Sequence, residues 1–332
     1  MLCWLVLGFD LSWEKAQLGG RQEPITWTSV TYHLTRTVVT AAVKDQILDD
    51  VRKDLEEMWS SNVIPIKVLR RAIGRAVCVS SLLYCWRPFV AMLWAPLSAT
   101  ATLGNPPLNC IWRRSVEVPL RWISAFLAKR AGSLTREFDV LDHNNLGVLV
   151  SITMDASPWG GGAILKEDGE IIEFIAVTWT AHDEEAIGHA IGDCRGQQAW
   201  EAFIALISLR HWAPRWRRRR CKLQARSDSI SALTVLLSFK AGGTAPAKIA
   251  RELALDVADS LYRPDVVSHI PGIANIPADV ISRWAEPVSR GFRQLPVGLA
   301  WHMQTFPVPR SSSWWRTSST TTSCTEPATQ YE

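Results

Sequence analysis

The chain has 332 residues, of which 47% are hydrophobic and 20% charged, and its formal net charge is +4 at neutral pH. This composition excludes an intrinsically disordered chain, which would hold too few apolar residues to bury a core. The small positive charge is compatible with a nucleic-acid partner but does not by itself require one. The length suffices for two domains, or for one domain with sizeable flanking segments.

The cysteines and the first residues bear on the cellular compartment. The seven cysteines are widely scattered, with no CxxC pair and no Cys/His spacing suited to zinc, which favours reduced thiols in an intracellular protein. The opening MLCWLVLGF is apolar but lacks a basic n-region and a small-residue cleavage site, so it predicts a buried strand rather than a signal peptide. We therefore expect the protein in the cytoplasm or the nucleus.

The first part of the chain predicts strands followed by helices. Residues 1–35 indicate strands broken by turns, and residues 36–146 a mainly helical region. Apolar residues at three- and four-residue spacing predict helices over about 39–60 and 66–86, and a third around 120–131. The uncharged stretch 88–112 is long enough to cross a bilayer. Because it contains four prolines, we predict a buried helix followed by a loop and no membrane partner.

From Val148 the pattern changes to mixed α/β. Residues 148–154 alternate with period two, which predicts a strand with Asp155 at its end. The glycines 160–162 and a turn at Asp168-Gly169 predict two further strands. Helices are expected over about 197–212, 229–239, 246–262 and 276–284, and strands over about 223–228 and 266–270. This order predicts an α/β fold with a mixed five-stranded sheet flanked by helices.

Four acidic residues occupy functionally suggestive places in this order. Asp155 and Asp228 end separate strands, Glu201 lies on the first helix and Asp279 on the last. Open α/β sheets place ligand sites beyond their strand ends. Clustered carboxylates repel one another unless a cation is bound, and hard oxygen ligands favour Mg²⁺ or Mn²⁺. The pattern therefore predicts a site for two such ions, able to support phosphodiester cleavage.

Each acidic residue also has an ordinary structural explanation. A single Asp at a strand end is typical of a turn or a cap. Glu201 could complement a helix dipole, and Asp279 could pair with Arg283 four residues later. Only the joint occurrence of the four residues favours a functional site.

Four segments, in order, resemble the ribonuclease H domains of retroelements. The last is the most specific, with a G-x-x-N-x-x-A-D-x-x-S-R pattern; the segments are TMDASPWGGGAIL, QQAWEAFIALISLRHW, ARSDSISALTVL and HIPGIANIPADVISRW. The resemblance implies that Asp155, Glu201, Asp228 and Asp279 are the ligands of two Mg²⁺ or Mn²⁺ ions. It implies an endonuclease that cleaves the RNA strand of RNA–DNA hybrids. His269 precedes Asp279 by ten residues, like the mobile histidine that some members use for product release; a strand-end histidine is an equally good explanation.

The N-terminal part also resembles retroelement sequences. LGFDLSWEKAQLGG followed by ITWTSV is similar to the end of a reverse-transcriptase palm, and IGRAVCVSSLLYCWRPFVAMLWAPL resembles the connection of DIRS-like and gypsy-like elements. No YxDD-type polymerase turn is present, and Leu48-Asp49-Asp50 lies in a predicted helix, so DNA synthesis by this chain is not expected. The resemblance divides the chain into a palm remnant (1–35), a thumb/connection-like region (36–146) and a ribonuclease H-like domain (147–286), followed by a tail (287–332). Because the residues after Arg310 are rich in Ser and Thr, the tail is predicted to be largely disordered.

Two basic segments are candidates for phosphate contact. The denser run interleaves with Trp212 and Trp216 and comprises Arg215, Arg217, Arg218, Arg219, Arg220 and Lys222. The other is the predicted basic face of Lys67, Arg70, Arg71 and Arg75. Such charges give affinity for nucleic acid without sequence preference. A solvated helix end is an equally good explanation of the first run.

Several functions remain open at this point. The chain is either an active metal-dependent nuclease or a decayed, non-catalytic fragment that binds nucleic acid. A third possibility is a polymerase subunit whose partner carries the missing YxDD turn. An integrase or transposase is disfavoured, because those sites generally end in a glutamate on a late helix. Other products of the same retroelement polyprotein are possible partners.

Overall fold

The computed structural model describes residues 24–98, 106–139, 147–216, 221–262, 266–287 and 295–317. The predicted palm remnant falls mostly outside these residues, as do Arg217 to Arg220. The described strands are β1 (Ile25–Trp27), β2 (Val30–Leu34), β3 (Val38–Val43), β4 (Val63–Pro65), β5 (Cys110–Trp112), β6 (Thr135–Asp139), β7 (Val148–Ala156), β8 (Gly160–Glu167), β9 (Glu170–Thr178), β10 (Cys221–Ser227), β11 (Val266–His269) and β12 (Met303–Thr305). The described helices are α1 (Asp45–Trp59), α2 (Ile66–Leu82), α3 (Arg87–Ser98), α4 (Glu117–Leu127), α5 (Ala181–Ile187), α6 (Gln197–Trp216), α7 (Ile230–Ser238), α8 (Thr244–Ala258) and α9 (Ile276–Ser282).

The N-terminal region contains more strand than its sequence predicts. The helix expected from about residue 39 begins at Asp45, because residues 38–43 form β3. This strand pairs with β6, which lies almost a hundred residues later in the chain, and with β2. The four strands form an antiparallel sheet in the order β1-β2-β3-β6. Leu48 to Asp50 lie in α1, as predicted.

The uncharged stretch 88–112 is a helix and a short strand rather than one long helix. It provides most of α3 and all of β5. Of the helices in the described ranges, none combines the length and the apolar character needed to span a bilayer.

The second half of the chain forms a mixed sheet with helices on its faces, and the prediction of a mixed α/β fold is confirmed. The strand order is β11-β10-β7-β8-β9-β12. Strands β11, β10 and β7 are parallel neighbours, whereas β7, β8 and β9 form an antiparallel meander. The predicted number of five strands is wrong, because β12 adds a sixth strand, parallel to β9, at the edge of the sheet.

Three glycines let two helices approach the sheet closely. Residues 160–162 lie on β8 and alternate between its faces. A Cβ atom on Gly161 would lie 2.7 Å from the Ile204 side chain of α6. A Cβ atom on Gly162 would lie 2.7 Å from the Ala278 carbonyl oxygen of α9, and one on Gly160 3.1 Å from the Ser282 carbonyl oxygen. Both helices therefore rest on backbone rather than on side chains.

Helix α6 forms the centre of the core and is apolar around most of its circumference. Trp200 on this helix is fully buried and stacks on Trp179, with 5.0 Å between the ring centroids. The helical region packs against the same core: Tyr84 stacks on Phe239 at the end of α7, and α8 contacts α3. The described residues thus share one main hydrophobic core, with a smaller cluster between the sheet and α9.

Residues 295–317 are structured against the domain, in contrast to the disordered tail that their composition predicts. Arg310 is buried and donates hydrogen bonds of 2.7 Å to both carboxylate oxygens of Asp183. Asp183 is fully buried in the capping box with which Thr180 begins α5, a helix that the sequence pattern does not predict. Trp315 stacks on Phe203 of α6, with 5.3 Å between the ring centroids. The segment is therefore part of the core.

The ion pair between Arg310 and Asp183 gives a test of this arrangement. We expect Arg310→Ala to lower the free energy of unfolding by about 3 kcal/mol, because it leaves the Asp183 carboxylate buried without its cation. Urea unfolding measures the change. Arg52→Ala, which removes the exposed pair with Asp49, is the control and should have no resolvable effect. Equal stability of the two variants would contradict the buried role of Arg310.

Candidate active site

Two of the four predicted carboxylates lie side by side at the carboxyl end of the parallel strands. Asp155 is the penultimate residue of β7, and Asp228 directly follows β10. These strands are parallel neighbours, with Arg226 opposite Thr153. Two residues further along each strand, the register brings Asp228 beside Asp155. The parallel pairing, rather than proximity in sequence, joins the two residues.

Glu201 and Asp279 approach the same place from the flanking helices. Glu201 is the fifth residue of α6, and Asp279 is the fourth residue of α9. Both influence the ionisation of Asp155, which is only 7% exposed. The structure therefore brings the four sequence-predicted carboxylates into one electrostatic neighbourhood, on four different elements.

Burial, together with the negative charge of its neighbours, raises the pKa of Asp155 to about 7. Burial is the largest cause, and the charges of Asp228, Asp279 and Glu201 act in the same direction. A hydrogen bond from the Ser282 hydroxyl, with 2.5 Å between Ser282 Oγ and Asp155 Oδ2, opposes them. In the absence of a cation, this carboxyl group is half protonated near neutral pH.

Glu201 is held by a neighbour one helical turn earlier. Burial raises the pKa of Glu201, while hydrogen bonds from Ser229 and Gln197 lower it and the charge of Asp228 raises it. Gln197 Nε2 lies 3.1 Å from Glu201 Oε1 and 2.5 Å from the Ala156 carbonyl oxygen. Gln197 thereby connects the glutamate helix to the end of the strand that carries Asp155.

Asn275 holds the other aspartate and is a residue to which sequence reasoning assigned no role. Its side chain is fully buried, and Nδ2 donates to the Met154 carbonyl oxygen at 3.2 Å and to Asp228 Oδ1 at 3.4 Å. Its Oδ1 has no hydrogen-bond partner among the described atoms. The sequence does single out this residue, because Asn275 and Ser282 are both fixed positions of the closing G-x-x-N-x-x-A-D-x-x-S-R motif.

The candidate carboxylate ligands also accept hydrogen bonds from other side chains of the protein. Asp279 accepts a hydrogen bond of 2.6 Å from Arg283, which confirms the pairing proposed as its ordinary explanation. Within the described ranges, no group of three or more His, Cys, Asp or Glu side chains is arranged closely enough to hold a metal ion. The four carboxylates are thus neighbours, but they accept hydrogen bonds from protein side chains and are not gathered around one point.

His269 lies at the end of β11, on the far side of Asp228 from Asp155. It is exposed and lies opposite Ser227 in the parallel register of β10 and β11. The structure therefore places His269 on the strand next to Asp228. A role in product release stays a prediction.

The basic residues divide into two groups. Arg71 donates to Asp54 at 2.8 Å and pairs with Glu57, so that it joins α2 to α1. Arg70 is also exposed but joins no ion pair among the described residues. In the second segment, Lys222 lies on β10, and Arg215 donates to the buried carboxylate of Glu173 at 2.7 Å. Trp212 and Trp216 are buried, so the aromatic residues of this run pack in the core instead of offering a surface for bases. Arg217 to Arg220, for which contact with nucleic acid is predicted, lie outside the described residues.

Comparison with known proteins finds distant structural likeness only. No protein-family model matches the chain, and no curated protein matches it. RNase H1 from the halophilic archaeon Halobacterium salinarum NRC-1 is similar at 16% identity and a TM-score of 0.31, over 41% of this chain and 96% of that one. LC11-RNase H1, isolated from compost, is similar at 12% identity and a TM-score of 0.33, over 44% and 99%. The foamy viral protease-reverse transcriptase dRH, in complex with double-stranded DNA, is similar at 14% identity and a TM-score of 0.26, over 74% of this chain and 38% of the viral one.

The raised pKa of Asp155 predicts a characteristic dependence of stability on pH. Between the unperturbed pKa of 3.8 and about 7, the folded state retains a proton that the unfolded state releases. Stability should therefore fall as the pH rises through this window and stay level above it. The variant Asp155→Asn has no carboxyl group here and lacks this loss. Its free energy of unfolding, relative to that of the wild type, should therefore rise between pH 4 and 8 by at most about 4 kcal/mol.

Urea unfolding in the presence of a chelator, at a series of pH values, measures this difference. The control is Glu170→Gln, which removes an exposed carboxylate of β9 in the same domain. Its stability difference from the wild type should not change with pH. A pH-independent difference for Asp155→Asn as well would show that Asp155 ionises normally.

Proposed function

We propose that this chain is a metal-dependent endonuclease that cleaves the RNA strand of RNA–DNA hybrids, derived from a retroelement of the DIRS-like or gypsy-like groups. The observation that carries the proposal is that Asp155, Glu201, Asp228 and Asp279 converge at the carboxyl ends of β7 and β10. The pKa of Asp155 is raised by burial and, in the same direction, by three other carboxylates; such a group is unfavourable for folding and is typical of a functional site. The order of the four motifs along the sequence supports the same reaction.

The residues present are suited to divalent cations of the Mg²⁺ or Mn²⁺ type. All four candidate ligands are carboxylates, and hard cations prefer oxygen ligands. A cation would also relieve the repulsion that raises the pKa of Asp155. The buried Asn275 amide donates through Nδ2 to Asp228 Oδ1 and so restrains one of these carboxylates.

In this proposal the carboxylates bind two ions, and the surrounding residues orient the carboxylates. When bound, the ions would supply an activated water and stabilise the leaving oxygen of the scissile phosphate. Gln197 holds Glu201 in place, and Asn275 restrains Asp228 relative to the backbone of β7. Arg283 would have to release Asp279, or share it, when a cation binds.

A non-catalytic relic that binds nucleic acid is the second candidate function. The observation that favours it is the engagement of the site by protein donors, with Arg283 on Asp279 and Ser282 on Asp155. No tight group of three metal-binding side chains occurs in the described ranges. A relic of this kind would keep the fold and affinity for a hybrid while lacking the ion-dependent cut.

Cleavage of a labelled RNA–DNA hybrid by the full chain separates the two functions. We expect loss of the RNA strand that requires Mg²⁺ or Mn²⁺, and a decrease of at least about a hundredfold in rate for Asp155→Asn and for Asp228→Asn, because each removes a charged ligand. Glu170→Gln, which changes an exposed carboxylate away from the site, should cut at the wild-type rate. Hybrid binding without cleavage, by wild-type protein that is folded, would support the relic.

Arg70 and Arg71 allow a test of hybrid binding by the helical region. We expect Arg70→Ala to weaken hybrid binding and to reduce the dependence of log K on log salt by about one unit, without loss of stability. Arg71→Ala should instead destabilise the fold, because Arg71 joins α1 and α2. Fluorescence anisotropy at several salt concentrations, with urea unfolding of both variants, makes the comparison. An Arg70 variant with unchanged affinity and salt dependence would exclude this surface from the interface.

A further inference from the structure

Ser282 makes a contact that a helix-terminal serine does not need. It is the last residue of α9 and is fully buried. Its Oγ lies 2.9 Å from the Asp279 carbonyl oxygen, the usual partner of a serine at this position in a helix. The same Oγ lies closer, at 2.5 Å, to Asp155 Oδ2 on β7, 127 residues away in sequence. A hydroxyl has one proton to donate, and the shorter distance is the one to the carboxylate.

The position of Ser282 is determined by contacts on its other side. The Ser157 hydroxyl donates to the Ser282 carbonyl oxygen at 2.7 Å. Gly162 is paired with Asp155 across β7 and β8, and a Cβ atom there would lie 2.8 Å from the Ser282 backbone nitrogen. The end of α9 can therefore approach the Asp155 strand pair only because this residue is a glycine. Backbone and side-chain contacts together hold the Ser282 hydroxyl beside the carboxylate.

The two oxygens of Asp155 have different surroundings as a result. Oδ2 accepts the hydrogen bond from Ser282, whereas Oδ1 accepts none from the residues that the structure describes. Three other carboxylates face Asp155 and would turn its side chain away from them if nothing opposed the repulsion. A charge-assisted hydrogen bond is stronger than a neutral one, so a rigid donor at this distance favours one orientation of the carboxylate.

We propose that Ser282 is a positioning residue that holds Oδ2 of Asp155 and thereby presents Oδ1 to a divalent cation. This inference rests on the proposed function, since it concerns the same site. Because Asp279 lies one helical turn before Ser282, the contact also couples two of the four carboxylates through α9. The bond is the counterpart of the hydrogen bonds that orient metal ligands in other proteins from a second layer of residues.

The test compares Ser282→Ala with a matched control, Ser208→Ala. Ser208 is fully buried on α6, and its one hydrogen bond among the described residues is from its hydroxyl to the Ile204 carbonyl oxygen, at 2.7 Å. Both substitutions remove a buried hydroxyl that bonds within a helix, but only Ser282→Ala removes a bond to a carboxylate. Mn²⁺ binding to the full chain without nucleic acid, followed by the electron paramagnetic resonance signal of free Mn²⁺, is the first readout. The kcat and KM for hybrid cleavage are the second.

We expect Ser282→Ala to weaken Mn²⁺ binding by about 10- to 100-fold, the usual effect of removing a residue that orients a metal ligand. Ser208→Ala should bind Mn²⁺ as the wild type does, although it loses a comparable hydrogen bond. At saturating hybrid and limiting Mn²⁺, kcat should fall for Ser282→Ala while the KM for hybrid stays unchanged, because Ser282 is buried. Ser282→Thr retains the hydroxyl and should recover at least part of the Mn²⁺ affinity.

Two results would overturn the inference, and they differ from each other. Wild-type affinity for Mn²⁺ in Ser282→Ala, with an active wild-type enzyme, would reject the positioning role and leave the proposed function intact. A folded wild type that binds no Mn²⁺ and cuts no hybrid would reject both. If Ser282→Ala does not fold, Ser282→Cys serves in its place, since it is nearly isosteric and its thiol is a weak donor. Unchanged Mn²⁺ affinity in the Cys variant would likewise reject the role.

Discussion

The close approach of α9 to the β7–β8 strand pair is the contact on which the candidate site depends. It is made through backbone, because a side chain on Gly162 would overlap the helix and one on Gly160 would crowd it. Only at this distance can Ser282 reach Asp155 and Asn275 reach the backbone of β7. Asp279, on the same helix, enters the electrostatic field of Asp155 for the same reason. Two carboxylates and two orienting residues therefore depend on glycines that carry no functional group themselves.

The carboxylates make this arrangement unfavourable in the absence of a counter-charge. Burial and three like charges act together on Asp155. They are opposed by hydrogen bonds from Ser282, Gln197 and Asn275 to individual carboxylates, and by one cation, Arg283, which pairs with Asp279. Such hydrogen bonds orient a carboxylate without neutralising it. The rest of the fold therefore has to hold the site together, and the large core around α6 is well suited to do so. Its tryptophans and phenylalanines pack continuously from β9 to the C-terminal segment.

Sequence periodicity was sufficient for the elements that carry the carboxylates, and it failed where a partner is distant in the chain. The period-two pattern before Asp155 and the apolar helix around Glu201 are local signals, and both elements form as predicted. Strand β12 pairs with β9 about 130 residues earlier, and Arg310 meets Asp183 across a similar separation. No local pattern reveals such a partner, so the sequence predicts a largely disordered tail where the structure has a strand and a buried ion pair. The same limit explains β3, whose strand pairing with β6 overrides a helical pattern.

The candidate site was predictable in its charges and less so in its geometry. Residue types and spacing identified the four acidic positions, but the ion pair of Arg71 with α1 and the burial of Trp212 depend on which face each side chain presents after packing. Arginines at three- and four-residue spacing look alike whether they meet a phosphate or an aspartate. The discriminating feature is the acidic face of α1, which carries Asp50, Asp54 and Glu57 toward α2. A basic stripe on one helix is therefore better assessed against the charges of its neighbouring helix before it is assigned to a nucleic acid. By that criterion Arg70, which is exposed and joins no ion pair among the described residues, is a stronger candidate than Arg71 for contact with a phosphate.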